Sequence, residues 1–343
     1  MKLFIALTIH PYRRQTFPYL KTYFSKSGTS REAFNSDAIF VTTMDAAALV
    51  VLPMSWNFYL KNNQSKLIEE VIKKAHSLGK KVISFTTGDY GVEIPDYNNV
   101  IVLRASGNES KLPNSHWGLP AFIEDPLLKI YGTATPSIQP YSQKPTIGFC
   151  GMANTSVLYA FEELGRIVRR NLKYYLGFSK NLPQALIPTT YRRAQILQGF
   201  RKNDAMNDYF IFRKKYQAGA KTDSEKKETT LAFYNNIKHT QYLLCFRGAG
   251  NFSVRLYETL AMGRIPIFVN TDCILPLSDK VDWKKHMVWV EYKDRHKIVE
   301  KVLEFHQQFD ENTFKNLQEQ NRLLWEEKLT LEGFFNNLLI DEL

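Results

Sequence analysis

The chain has 343 residues, 44% of them hydrophobic and 23% charged, which is ample for two cores and ordinary for a soluble globular protein. Its formal charge of +11 admits nucleic acid, an anionic membrane face or phosphorylated small molecules as partners. The basic residues are scattered, Arg213-Lys214-Lys215 being the longest run, which argues against dedicated nucleic-acid binding. No apolar run approaches the roughly 20 residues of a membrane-spanning helix.

Leu3 to Ile9 reads as a first core strand. His10, Arg13 and Arg14 follow at once with no small-residue cleavage site, so a signal peptide is not indicated and the cytosol is the expected compartment. Ala48 to Met54 reads as a second strand. Tyr59 to Leu78 has the apolar spacing of an amphipathic helix stopped by Gly79, and Val82 to Phe85 follows as a strand ending at Thr86-Thr87-Gly88-Asp89. Asn99 to Leu103 is a further strand. Tyr131 to Pro145, rich in Pro, Ser and Thr, reads as a linker. A second α/β unit then starts at Thr146 to Gly151, with a helix from about Ser156 to Tyr174 and a strand at Tyr209 to Phe212. Lys214 to Glu228 reads as a mobile basic loop, and Lys293–Phe309 and Asn312–Leu339 as closing helices. This alternation predicts parallel sheets with ligands at the C-terminal strand ends. Cys150, Cys245 and Cys273 are odd in number and lie mostly in strand-like runs, so buried thiols are expected rather than disulfides or zinc.

Tyr242 to Asn270 carries the most chemistry: a buried strand, the turn Arg247-Gly248-Ala249-Gly250-Asn251, a helix ended by Gly263, and a strand Ile265 to Val269. Glycines let backbone N–H groups approach an anion, the helix start adds partial positive charge, and arginine offers a fork matched to phosphate. Arg247 is the first candidate for a diphosphate. Arg255 either joins it or pairs with Glu258 one turn on. Gly248 and Gly250 permit close approach, while Asn251 and Ser253 cap the helix, touch phosphate, or both. Gly151 ends the strand that opens the second unit, and Arg213 ends another. Arg192 and Arg193 read as solvated, and Asp272 and Pro276 as shaping a loop near the base or sugar. A Gly-x-Gly-x-x-Gly dinucleotide fingerprint is not completed, since Asn251-Phe252-Ser253 follows Gly250, which disfavours a nicotinamide or flavin enzyme.

The run from Arg247 to Trp283, with Arg-Gly, Ser-x-Arg-x-x-Glu, Gly-x-Ile-Pro, Leu-Pro and Asp-Trp in order, resembles the signature region of bacterial exostosin-like glycosyltransferases. Lys144 to Gly151, Tyr209 to Arg213 and Leu324-Trp325 extend that resemblance; it is looser before Lys144. The resemblance implies an α/β chain of two Rossmann-like domains facing across a cleft (GT-B type). It implies sugar transfer from a nucleotide-sugar donor to a hydroxyl, usually with inversion, the donor sitting mainly in the second domain. On that footing residues 1–140 form an acceptor-binding domain and 141–311 a nucleotide-sugar domain. The closing helix 312–343 returns to the first. Glu258 matches the acidic residue that such folds direct at ribose hydroxyls. No Asp-x-Asp occurs, so the expectation is no metal and no cofactor, with arginines and helix N–H groups stabilising the leaving diphosphate.

The catalytic base is expected from the first domain. Asp89 is the candidate, His10 the alternative, with Asp45, Glu124 and Asp125 behind them. The expected partners are the donor, a glycan or lipid-linked saccharide acceptor, and peripheral contact with an anionic inner membrane face during surface polysaccharide synthesis; no nucleic acid is expected. The other reading is a noncatalytic carbohydrate- or polyanion-binding protein of the same fold. Sequons stand at Asn63, Asn108, Asn154 and Asn251, the last inside the donor loop, where a glycan would block binding.

Overall fold

Strands covered by helices on both faces read as continuous apolar runs, and two sets of such runs build this chain. The computed structural model describes residues 1–12, 14–22 and 39–340; Arg13 and the last three residues of the expected closing helix lie outside the described residues. The first sheet holds β1 (Lys2–Ile5), β2 (Ile39–Phe40), β3 (Leu49–Val51), β4 (Lys81–Phe85), β5 (Val100–Arg104) and β6 (His116–Gly118), ordered β2-β1-β3-β4-β5-β6. The second holds β7 (Thr146–Met152), β8 (Asn207–Arg213), β9 (Tyr242–Cys245), β10 (Ile265–Asn270) and β11 (Val288–Glu291), ordered β11-β10-β9-β7-β8. Every pairing within the two sheets is parallel. Counted from its own first strand, each sheet has the order 2-1-3-4-5, with β6 added to the first. Two Rossmann-like domains of one topology therefore face each other. Residues 132–145, between them, contain no helix or strand.

Alternate residues of each strand enter different cores. Val50, Val82, Val100 and Val102 pack beneath α1 (Trp56–Lys61) and α2 (Ser65–Ser77). Val51, Ile83, Ile101 and Leu103 join Leu243, Cys245 and Leu260 in a core shared by both domains. Each fully buried aliphatic side chain contributes roughly 1.5–3 kcal/mol, so the seam between the domains is held by packing as well as by hydrogen bonds. The second domain adds α3 (Val157–Tyr175), α4 (Thr189–Arg201), α5 (Asp223–Lys238), α6 (Val254–Ala261), α7 (Ile298–His306) and α8 (Glu311–Leu324). The last helix, α9 (Leu331–Ile340), crosses back: Phe335 lies 5.5 Å from Phe17 and 5.1 Å from Tyr19 between ring centroids. Arg322 fixes that crossing by a bidentate bond to Asp125 at 2.6 and 3.1 Å.

Three expectations are corrected. β1 stops at Ile5, because its partner β3 offers only Leu49–Val51 to pair with, so His10 lies beyond the strand instead of ending it. The expected helix Tyr59–Leu78 is two helices, broken where Asn63 takes φ +55°, a left-handed conformation that asparagine tolerates. The basic segment Lys214–Glu228 is not one loop. Thr222 and Glu225 form a reciprocal capping box that starts α5 at Asp223.

Candidate active site

In an open parallel sheet of order 2-1-3-4-5 the crevice opens outside the carboxyl ends of strands 1 and 3, where the chain winds off in opposite directions. In the second domain those are β7 and β9. Gly151 and Met152 close β7, and Arg247 follows β9 by two residues. Arg193 on α4 ties the two ends together. Its guanidinium donates to the Met152 carbonyl at 3.1 Å and to the Arg247 carbonyl at 2.6 Å. Desolvation, with the Arg255 charge beside it, pushes its pKa down to about 10. The sequence reading of Arg193 as solvated is therefore wrong: a helical arginine turned inward can serve two strand ends at once.

Arg255, in the first turn of α6, braces the same two strands. It donates to the Cys150 carbonyl at 2.8 Å and the Leu244 carbonyl at 3.3 Å, with its guanidinium 4.6 Å from the Phe149 ring centre. It makes no ion pair with Glu258. Gly151 makes the brace possible, since a Cβ there would stand 2.9 Å from the Arg255 Nη2. Glu258 lies on α6 and accepts from the Tyr234 hydroxyl at 3.4 Å; burial raises its pKa to about 6 against the pull of Arg255. Arg213 donates to the Thr229 carbonyl of α5 at 2.6 Å.

Arg247 is 3% exposed. Its Nη2 donates to the Gln184 Oε1 at 2.7 Å and more weakly to the Ala249 carbonyl at 3.4 Å. Its Nε and Nη1 are sealed from solvent and have no hydrogen-bond partner. Burial lowers its pKa, and it forms no ion pair among the described residues. Gln184 sits on the segment between α3 and α4, which is pinned from two sides. The Asn171 side chain bonds both its N–H and its carbonyl, at 2.9 and 2.8 Å. Leu182 N–H donates to the Gly91 carbonyl of the first domain at 3.2 Å.

The turn after Arg247 faces two ways. A Cβ on Gly248 would meet nothing within 4 Å, so that side is open. A Cβ on Gly250 would fall 1.7 Å from the Asp89 carbonyl oxygen, so Gly250 lies flat against the Asp89 turn of the first domain. Asn251 is consumed by the seam. Its Nδ2 reaches the Gly107, Thr271 and Asp272 carbonyls and Asn108 Oδ1 at 2.8–3.0 Å, and its Oδ1 accepts from Thr271 at 2.6 Å. At 1% exposed, it neither caps α6 nor accepts a glycan. Ser253 precedes α6, but its hydroxyl makes no capping bond. Asp272 takes φ +68° and bonds the Ser110 N–H and hydroxyl at 3.0 and 2.7 Å. The Pro276 carbonyl accepts from Trp283 Nε1 at 3.0 Å.

The base candidates are spread more widely. The Asp89 side chain is exposed beside the Gly250 turn. The His10 ring lies 5.0 Å from that of Phe58, tilted by 35°, near the matching switch point of the first domain. Asp45 precedes β3 and is exposed. Glu124 pairs with Lys129, and Asp125 is taken by Arg322. Among the described residues no group of three or more His, Cys, Asp or Glu is placed to hold a metal ion, and all three cysteines are buried and free. No helix among them is long and apolar enough to cross a membrane.

Residues 154–304 match the Exostosin GT47 domain. That span contains Gln184, Arg193 and the whole turn from Arg247 to Glu258. The chain is also 34% identical over 76 residues to a probable glucuronosyltransferase of Physcomitrium patens, covering 22% of this chain and 17% of that protein. It is 31% identical over 67 residues to a probable β-1,4-xylosyltransferase of Arabidopsis thaliana, covering 20% of this chain and 16% of that protein. The match thus spans less than a fifth of the length of these relatives. Among solved structures it is similar to TarM (9% identity, 88% of this chain and 54% of that one, TM-score 0.34). It is likewise similar to a glycosyltransferase of Rickettsia africae ESF-5 (13% identity, 89% and 84%, TM-score 0.32).

Proposed function

We propose that the chain is a glycosyltransferase that moves a sugar from a nucleotide-sugar donor to a hydroxyl of a glycan or lipid-linked acceptor, with inversion. One observation carries this reading. Arg247, at the switch point of the second domain and inside the exostosin match, keeps a buried cation with two unpaired N–H groups. Leaving such donors unpaired costs about 1–3 kcal/mol each, a cost that an arriving diphosphate would remove.

In the proposed reaction the acceptor oxygen bonds to the anomeric carbon as the bond to the donor phosphate breaks. The acceptor proton passes to the exposed Asp89 carboxylate, whose backbone adjoins the turn, and the nucleoside diphosphate leaves with its electron pair. Arg247 meets the growing negative charge, with the Ser253 hydroxyl at the start of α6 beside it; the Gly248 N–H is held by the Phe252 carbonyl at 3.2 Å and shapes the turn. Glu258 takes the ribose hydroxyls. Arg193, Arg255, Arg213, Gly151 and Asn251 position these groups. The Gln184 Oε1 occupies a place that a phosphate oxygen would take, so donor binding displaces it. Since Arg247 supplies the charge, transfer is proposed to proceed without an added divalent metal. The proposed setting is surface polysaccharide assembly at the cytoplasmic membrane face.

Thermal-shift titration with UDP-, GDP-, dTDP- and CMP-sugars tests this directly. At about 100-fold its dissociation constant one donor should stabilise the fold by about 2.7 kcal/mol, and Arg247→Met should abolish that shift. Binding without hydrolysis or transfer would favour the noncatalytic carbohydrate-binding reading. No shift from any of the four would sink the donor assignment.

A further inference from the structure

Among the described residues nothing covers the outer face of α3. A helix that packs on a domain buries one apolar stripe and turns polar residues to water. α3 buries only Ala160 and Ile167 and carries a second apolar stripe that faces solvent. Val157, Phe161, Val168, Leu172 and Tyr175 recur at helical spacing and are 42–71% exposed, with Leu158 beside them at 78%. Leu176 and Phe178 continue the band past the helix end, Phe178 being 80% exposed. Single apolar side chains are common on a protein surface, but a continuous band along the 19 residues of α3, about 28 Å long, marks a contact surface. Both ends of the helix adjoin the site. It follows the end of β7 at Met152. Near its other end the Arg170 guanidinium lies 4.0 Å from the ring centre of Tyr90, next to Asp89, and the Tyr174 hydroxyl donates to Glu93 at 2.9 Å. The band therefore runs from the switch point of the second domain to the Asp89 turn of the first.

The charges beside the band select its partner. Arg166, Arg169 and Lys173 form the adjoining row of the helix, and Lys180 follows Phe178. Arg169, Lys173 and Lys180 are exposed and form no ion pair among the described residues, while Arg166 meets Glu162 at 3.8 Å. Glu163 is spent on the hydroxyls of Thr189 and Thr190 at 2.8 and 2.6 Å. Between Ser156 and Leu186 the chain has five basic and two acidic residues. Such a segment is too charged to cross a bilayer, and a second copy of the same face would set cation against cation. An apolar band of Phe, Leu and Val bordered by Arg and Lys suits a helix lying in the plane of an anionic membrane surface, where the apolar side chains enter the acyl boundary and the cations meet lipid phosphates.

We propose that the outer face of α3, continued by Leu176 and Phe178, docks on an anionic bilayer, with Arg169, Lys173 and Lys180 at the level of the lipid phosphates, and so holds the Asp89 side of the cleft against the membrane. On the glycosyltransferase reading, on which this step rests, such docking selects the lipid-linked acceptor over a free glycan.

The test is co-sedimentation of the full chain with vesicles of phosphatidylcholine alone and of phosphatidylcholine mixed with phosphatidylglycerol. Binding to the mixed vesicles is expected to be at least about tenfold tighter. Each basic side chain at an anionic surface contributes about fivefold, so Arg169→Gln with Lys173→Gln should weaken that binding about 25-fold. Lys221→Gln with Lys227→Gln removes the same charge on the α5 side, across the second sheet from α4, and should change it less than about threefold. Phe161→Ser with Leu172→Ser should weaken it about 100-fold. All three double variants should keep the melting temperature of the unmutated chain and its Arg247-dependent nucleotide shift, which shows them folded. Equal binding to both kinds of vesicle, equal losses from the α3 and α5 lysine and arginine pairs, or unchanged binding by the Phe161–Leu172 variant would overturn the docking face. So would a chain that is dimeric without lipid and becomes monomeric in that variant, which would give the face to a second copy. Absence of the nucleotide shift with the vesicle pattern intact would instead overturn the transferase reading and leave the membrane face standing.

Discussion

Arg247→Met separates a cation held for a ligand from a cation held for the fold. Methionine keeps the length and fills the space, but removes the charge and every N–H. In the ligand-free chain Arg247 makes one good hydrogen bond, to Gln184 at 2.7 Å, and a weak one to Ala249 at 3.4 Å. Together these contribute roughly 1–2 kcal/mol. Against that stand two unpaired, sealed N–H positions on Nε and Nη1, at about 1–3 kcal/mol each. The substitution should therefore leave the ligand-free fold as stable as before, or more stable by about 1–2 kcal/mol, a rise of about 2 °C in Tm for a chain of this size. The nucleotide complex should respond in the opposite direction. Two charge-assisted hydrogen bonds at about 1.5–3 kcal/mol each are lost. Even the lower figure, about 3 kcal/mol, weakens nucleoside diphosphate binding by more than 100-fold. Scanning calorimetry with and without nucleotide, together with isothermal titration, reads both effects. A variant that melts several degrees lower yet still binds nucleotide normally would show that Arg247 serves the fold, and the reasoning would fail.

Gly250→Ala puts a Cβ 1.7 Å from the Asp89 carbonyl oxygen, so the seam must part there; we expect a loss of more than about 3 kcal/mol in urea unfolding and faster proteolysis between the domains, and a wild-type unfolding curve would refute the close contact. Gln184→Ala should tighten nucleoside diphosphate binding, because the ligand no longer displaces an amide oxygen from Arg247; weaker binding by titration would make Gln184 a contact of the donor instead. Burial and the adjacent Arg104 charge lower the His116 pKa to about 4. The unfolded chain takes that proton below about 6.5 while the folded chain does not until about 4, so stability present above pH 6.5 is lost as pH falls towards 4. His116→Gln, which still offers Arg104 an acceptor, should shrink the stability difference between pH 7 and pH 4.5 by about 2 kcal/mol; comparing the two proteins cancels Glu258, whose raised pKa works in the opposite direction, and an unchanged difference would show that His116 does not carry this pH dependence.

Much of the fold was legible because periodicity and punctuation agreed. Gly79 and Gly263 end helices at φ +66° and +65°, as their positions after apolar-periodic runs suggest. The unit Tyr242–Asn270 is strand, turn, helix and strand as read. What failed was what local pattern cannot carry. β2 and β6 are two and three residues long, too short to hold a period and fixed only by pairing with β1 and β5. The break at Asn63 lies in the polar stretch Lys61 to Lys66, and because Leu60 and Leu67 on either side are seven residues apart they share a helical face, so spacing alone bridges it. The start of α5 was readable from Thr222 and Glu225, but the lysines around them drew attention to charge instead of capping.

The site divides along the same line. Arg247, Gly250 and Ser253 belong to one β-loop-α unit, where a glycine-flanked arginine after a buried strand is meaningful by itself. Arg193 and Gln184 act on Arg247 from 54 and 63 residues away. Arg193 stands beside the apolar face by which its helix buries Ala194, Ile196, Leu197 and Phe200, and Gln184 stands in a stretch with no period at all. Nothing in either neighbourhood distinguishes a solvated side chain from one folded onto a strand end. Asn251 shows the converse error: a residue with the right chemistry in the right loop is spent entirely on joining the domains. Only the tertiary arrangement sorts the polar residues of the turn into those already satisfied and those left wanting a partner. By that criterion Asn251 is structural, and Arg193 and Arg255 each leave only Nε unpaired, whereas Arg247, 3% exposed, leaves both Nε and Nη1 without a partner at the mouth of the sheet.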